Sequence, residues 1–146
     1  MTLKLALGVT TAVLALAAVA SHAADVVETR QRLMVSMIGA TKVVRAMVQG
    51  SSPFDAAKVE ESVARVIEAG SVLPTLFPEG SITPASAAMP SLLTNRADFD
   101  ARFLELEKAA VALAFAAQSG PDEMAYAFGD YTRVCDGCHE TYRKPD

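Results

Sequence analysis

The chain has 146 residues and a formal net charge of −4, from 13 Lys/Arg against 17 Asp/Glu. That length suits one domain. A mildly acidic surface argues against nucleic-acid binding, which needs clustered positive charge.

The first residues have the layout of a secretory signal. Lys4 supplies a positive start, residues 5–20 are almost wholly apolar, and Ser21-His22-Ala23 is a small-residue cleavage site. A spanning helix would need a longer apolar run, followed by a basic stop-transfer cluster. Residues 1–23 are therefore expected to be removed, leaving 24–146 as the mature domain and placing it in the periplasm. Removal takes away Lys4 and His22, so the mature balance is 12 Lys/Arg against 17 Asp/Glu, a net charge of −5. The hydrophobic fraction of 51% is inflated by the leader and by alanine, and no later segment could span a membrane.

Apolar periodicity predicts four helices in the mature part. The first covers about 26–50, with Arg30, Met34, Met37, Thr41, Val44 and Val48 along one stripe and Gly50 as the C-terminal stop. The second covers about 54–70, with Ser52 or Asp55 as N-cap and Ala56, Val59, Val63, Val66 and Ile67 inward. Residues 71–95 carry Pro74, Pro78, Gly80, Pro84 and Pro90 and read as a long irregular crossover holding at most a short helical turn. The third helix, about 96–118, stacks Phe99, Phe103, Leu106, Ala110, Leu113 and Ala117. The fourth follows Ser119-Gly120, with Pro121 at its first position. No period-2 pattern or internal repeat is present. The expected fold is all-α, an antiparallel four-helix bundle with one long crossover between its second and third helices.

The fourth helix holds the chemistry. Met124, Phe128, Tyr131, Cys135, Cys138 and Tyr142 recur at helical spacing and form one inward stripe. Within it, Cys135-Asp136-Gly137-Cys138-His139 is the C-x-x-C-H string of covalent c-type haem attachment. Two thiols add to the two vinyl groups of the porphyrin, and the next residue offers an imidazole to the iron. At ~100° per residue, all three side chains fall within a ~100° arc and can face one ring. A thioredoxin-like site would place its reactive cysteine at a helix N-terminus, whereas this pair lies near a C-terminus, where the dipole disfavours thiolate. Structural zinc fails on ligand count, since the mature chain offers two cysteines and one histidine. No Gly-rich phosphate loop or metalloprotease motif is present, and a Ser-His-Asp arrangement would have to borrow His139.

The ending Cys135-x-x-Cys138-His139-x-x-Tyr142-Arg143 resembles that of the cytochrome c-prime family, the class II c-type cytochromes. Glu28-Thr29-Arg30-Gln31 with Met34 and Met37 is similar to its first helix. Phe54-Asp55-Ala56-Ala57 and the crossover run from Leu76 to Ser81 are similar to its second helix start and crossover, and Ala97-Asp98-Phe99 to its third helix start. The likeness spans nearly all of the mature chain. It implies one haem c between the helices, bound through Cys135 and Cys138 with His139 as proximal iron ligand. It also implies Arg30 and Gln31 near the propionates, Arg143 beside the proximal imidazole, and a homodimer. The family often carries a tryptophan before its third helix. Here Leu92 and Leu93 stand near that place, which leaves the packing at the haem edge open.

Met34 corresponds to the family position over the open side of the iron. Ligation by Met34 implies a low-spin electron carrier whose redox partner the sequence does not name. An unligated Met34 implies a five-coordinate iron that binds nitric oxide or carbon monoxide. The expectation set here is His139/Met34 ligation and electron transfer, with gas binding as the alternative. A peroxidase-like enzyme is disfavoured because the mature chain has no second histidine.

Overall fold

Helix boundaries follow the capping chemistry along the chain. The computed structural model describes residues 4–145, with side chains from residue 24 onward, so the expected leader 1–23 lies outside the described side chains. Helix α1 is Lys4–Val48, α2 is Ala56–Val72, α3 is the single turn Ser91–Thr94, α4 is Arg96–Ser119 and α5 is Pro121–Tyr142. A 3₁₀ turn at Leu73–Leu76 extends α2. Helix α1 thus begins well before residue 26 and passes without a break into the bundle.

Gly50 ends α1 at a positive φ of 69°. The amides of Gly50 and Ser51 turn back to Met47 and Ala46, closing a Schellman cap. Asp55 starts α2, its carboxylate accepting from the Lys58 amide at 3.2 Å, so of the two candidate caps the aspartate acts. One residue, Gly120, separates α4 from α5. Its φ of 129° is open to glycine and strained for other residues, and it lets the chain reverse directly into Pro121.

The four long helices pack as a square: α1 against α2, α2 against α4, α4 against α5 and α5 against α1. This is the expected antiparallel bundle, and it brings the α1 turn around Arg30, the end of α2, the start of α4 and the end of α5 together at the crossover end. Among the described residues there is no strand, only an isolated antiparallel bridge between Ala88 and Arg143. No described helix is long and apolar enough to cross a membrane.

The core runs along the predicted stripes. Val44, Val59, Val63, Val66, Leu106, Ala110, Leu113, Ala117, Met124, Phe128 and Tyr131 are buried in one cluster, with Met34, Phe103 and Cys135 packed against it. Buried Tyr131 and half-buried Thr41 add a polar contact beside it: their hydroxyls lie 2.9 Å apart, and Thr41 also donates to the Met37 carbonyl. Burial pushes the Tyr131 phenol up to about 12, so it stays protonated. A second cluster gathers Phe77, Leu92, Phe99 and Tyr142, with Cys138 against its side. Leu92 is fully buried there while Leu93 is exposed, so one aliphatic side chain fills the place expected to need scrutiny for lack of a tryptophan.

Burial ranks the stability effects. Leu113→Ala empties a fully buried site and should cost about 2–5 kcal/mol, whereas Asp55→Ala removes one cap and should cost about 1 kcal/mol. Denaturant unfolding of the two haem-loaded variants checks this order.

Candidate functional site

Helix α5 presents two sulfurs toward the inside of the bundle. Cys135 and Cys138 are half-buried and unpaired, not joined in a disulfide. Cys135 lies against the main core and Cys138 against the Phe99–Tyr142 cluster. Burial is the first cause that raises both thiols above their ordinary range, with Asp136 adding to it at Cys135. These are protonated, sheltered sulfurs suited to addition rather than the low-pKa thiolate of a disulfide exchanger.

His139 stands next to them in the last turn. Its surface is exposed, yet enough protein surrounds the ring for desolvation, followed by the nearby Arg143 charge, to lower its pKa. The neutral imidazole that results has a lone pair to offer a metal. Arg143 follows as the C-cap of α5, its amide donating to the His139 carbonyl at 3.0 Å, so helix geometry keeps its charge near the imidazole. Among the described residues, no three His, Cys, Asp or Glu side chains gather to hold a bare ion.

Facing α5 across the bundle, α1 contributes Arg30 and Met34. Arg30 is buried at 5% exposure. Its Nη2 donates to the Ser81 carbonyl of the crossover at 2.7 Å, and its guanidinium carbon lies 4.5 Å from the Phe77 ring centroid. Its Nη1 is buried with no hydrogen-bond partner, and no acidic side chain among the described residues pairs with it. Desolvation accordingly lowers its pKa. A buried cation with an orphaned donor is costly unless an anion completes it. A porphyrin propionate would supply such a charge, so these residues fit a haem. Met34, one turn further on, is half-buried against the core cluster that also receives Cys135. Gln31, next to Arg30 on α1, is exposed.

The sequence also pointed past several groups that shape the site. Tyr142 donates from its hydroxyl to Asp98 Oδ2 at 2.6 Å, and Arg102 Nε reaches the same oxygen at 3.4 Å. The C-terminal tail is laced to the crossover, with the Lys144 amide and ammonium donating to the Ala87 and Ser86 carbonyls, each at 2.7 Å, and the Met89 amide to the Tyr142 carbonyl at 2.8 Å. Apart from the i,i+4 pair Asp98–Arg102, these partners are 44 to 58 residues apart in the chain, and no short-range pattern announces them.

Comparison with known proteins then decides the family. The family model described as Cytochrome C' matches residues 25–143. The chain belongs to the cytochrome c' family. It is 34% identical over 122 residues to cytochrome c' of Rhodopseudomonas palustris, covering 82% of each chain. It is also 34% identical over 128 residues to cytochrome c-556 of Agrobacterium fabrum, covering 88% of this chain and 87% of that one. Among solved structures it is similar to a nitric oxide complex of a cytochrome c prime variant from Alcaligenes xylosoxidans, with a TM-score of 0.76 at 27% identity over 85% of this chain and 97% of that one. As a cytochrome c' it carries haem c, attached through Cys135 and Cys138 near its C-terminus.

Two outcomes follow from this geometry. Cys135→Ala with Cys138→Ala should abolish haem staining of the denatured polypeptide, and staining that survives denaturing electrophoresis would contradict the attachment. The hydrogen bond from Tyr142, with Arg102 adding to it, holds the Asp98 carboxyl below its ordinary range. A depressed carboxyl stabilises the fold above the ordinary carboxylate range and loses that contribution as pH falls through its folded value. The haem-loaded native chain should therefore lose more stability than Tyr142→Phe between about pH 6 and pH 3, measured by denaturant midpoints.

Proposed function

We propose that this cytochrome c' is an exported haem protein that binds nitric oxide or carbon monoxide at a five-coordinate iron, with His139 as its one protein ligand. The observation that carries the reading is Met34 engaged in core packing on the α1 face that bears Arg30, in a chain similar along its length to a relative solved as a nitric oxide complex.

When bound, the haem supplies an iron that changes between ferric and ferrous states and can accept a diatomic gas. The chain's own residues set how that happens. Cys135 and Cys138 fix the group to α5, and neutral His139 offers its lone pair from the same helix turn. Arg30, held by Ser81 and Phe77, has a buried Nη1 without a partner that would donate to a propionate. Met34 acts by bulk: an apolar, flexible side chain at the open side admits small ligands slowly and gives anions no hydrogen-bond donor. Burial of the imidazole, with the Arg143 charge adding to it, keeps His139 neutral.

A second reading is favoured by the chemistry of Met34 itself. A thioether in this place can ligate iron, which would give a six-coordinate, low-spin electron carrier with a raised potential. Neither reading makes the protein an enzyme, because no mature histidine besides His139 is available to assist oxygen–oxygen cleavage.

The same proposal covers location and assembly. The charged start, apolar run and small-residue site of residues 1–23 support cleavage after Ala23 and delivery to the periplasm. Val35 and Ile38, on the outer side of α1 with 66% and 51% exposure, support pairing of two chains through that helix. Sedimentation as a monomer at high concentration would contradict the pairing.

The optical spectrum separates the two iron states. Gas binding predicts a high-spin resting spectrum that changes on adding nitric oxide or carbon monoxide. It also predicts that Met34→Ala leaves the spin state unchanged and speeds gas association roughly tenfold, equivalent to about 1.4 kcal/mol off the barrier. A low-spin spectrum that Met34→Ala converts to high-spin would instead establish the electron carrier.

A further inference from the structure

The Cys138 side of the attachment sits beside a small charged cluster on α4 and α5. Cys138 packs against Tyr142 and Phe99, whose rings meet edge to face with centroids 5.3 Å apart. The Tyr142 hydroxyl donates to Asp98 Oδ2 at 2.6 Å, and Arg102 brings its Nε to 3.4 Å from the same oxygen. Arg102 also places Nη1 3.7 Å from Glu105 Oε2. Asp98 lies in the first turn of α4, where the helix dipole favours negative charge. Tyr142 is one turn beyond Cys138 on α5, so the phenol fixes the carboxylate at a set place relative to the sulfur.

We propose that Asp98 and Arg102, positioned by Tyr142, set the reduction potential of the haem from the Cys138 side. Reduction adds one electron to the site. A fixed negative charge nearby opposes it, and a fixed positive charge assists it, in proportion to inverse distance and inverse effective dielectric. Asp98 and Arg102 therefore pull in opposite directions, and their pairing holds the potential between the two extremes. Tyr142 acts through Asp98, so it is a positioning residue, and both charged side chains can be changed without touching the haem-bonding residues. The inference rests on haem attachment at Cys138 and is independent of whether the iron has five or six ligands.

The test is a spectroelectrochemical titration of the haem-loaded full chain, its Asp98→Asn and Arg102→Gln variants and the double variant. It is run at low ionic strength, where the Debye length is about 30 Å. Asp98→Asn should raise the midpoint and Arg102→Gln should lower it. Each change should be at least a twofold difference in the ratio of reduced to oxidised haem at a fixed applied potential, about 18 mV by the one-electron constant of 59 mV per tenfold. The double variant should return toward the native value, and high salt should shrink both single shifts. Midpoints that move in the same direction, or by less than twofold, with an unaltered resting spectrum would overturn the proposal. The resting spectrum of the native chain reports the iron coordination separately, so failure of the gas-binding reading would not be mistaken for failure of this one.

Discussion

The constraint behind the rest of the structure is a covalent one: a rigid planar group must be joined at two sulfurs three residues apart, with the adjacent imidazole turned to the same side. Only a helix holds Cys135, Cys138 and His139 on one narrow arc. That helix must also turn the arc toward the bundle interior, which the stripe from Met124 to Tyr142 does by burying its apolar members on the same side. Attachment chemistry and core packing thus impose the same orientation on α5, and neither could shift by one residue without breaking the other.

The opposite wall answers an electrostatic requirement. Arg30 is buried on α1 with one donor satisfied by a backbone carbonyl and another left over. A polypeptide optimised only for its own stability would replace such a group by an apolar one, since an unpaired buried cation is a net cost. Retaining it makes sense where an anionic group arrives to complete it. The crossover supplies the supporting contacts, Ser81 from its backbone and Phe77 from its ring, and is itself tied to the C-terminal tail through Lys144 and the Ala88–Arg143 bridge. The irregular segment is therefore a fixed part of the site rather than a slack connection.

Much of this was legible in the sequence because it depends on local periodicity. The stripes on the four long helices, the Asp55 cap, the Gly50 stop and the Pro121 start each need only neighbours within a turn or two. What escaped was set by contacts across the crossover. Ser81 offers a backbone carbonyl, which any residue would carry, so nothing in its identity marks it as the partner of Arg30. The Tyr142–Asp98 pair joins two helices whose register emerges only once they are packed. Gln31 sits one residue, ~100° around the helix, from Arg30, and that rotation is enough to leave it in solvent. Met34 illustrates a different boundary: core filler and iron ligand require the same inward thioether, so periodicity alone cannot separate them.

The intact mass of the exported, purified polypeptide tests the central claim most directly. The account predicts the chain beginning at Ala24 with the mass of one haem added and retained under denaturing conditions. A mature polypeptide of unmodified mass, with both thiols free, would contradict it.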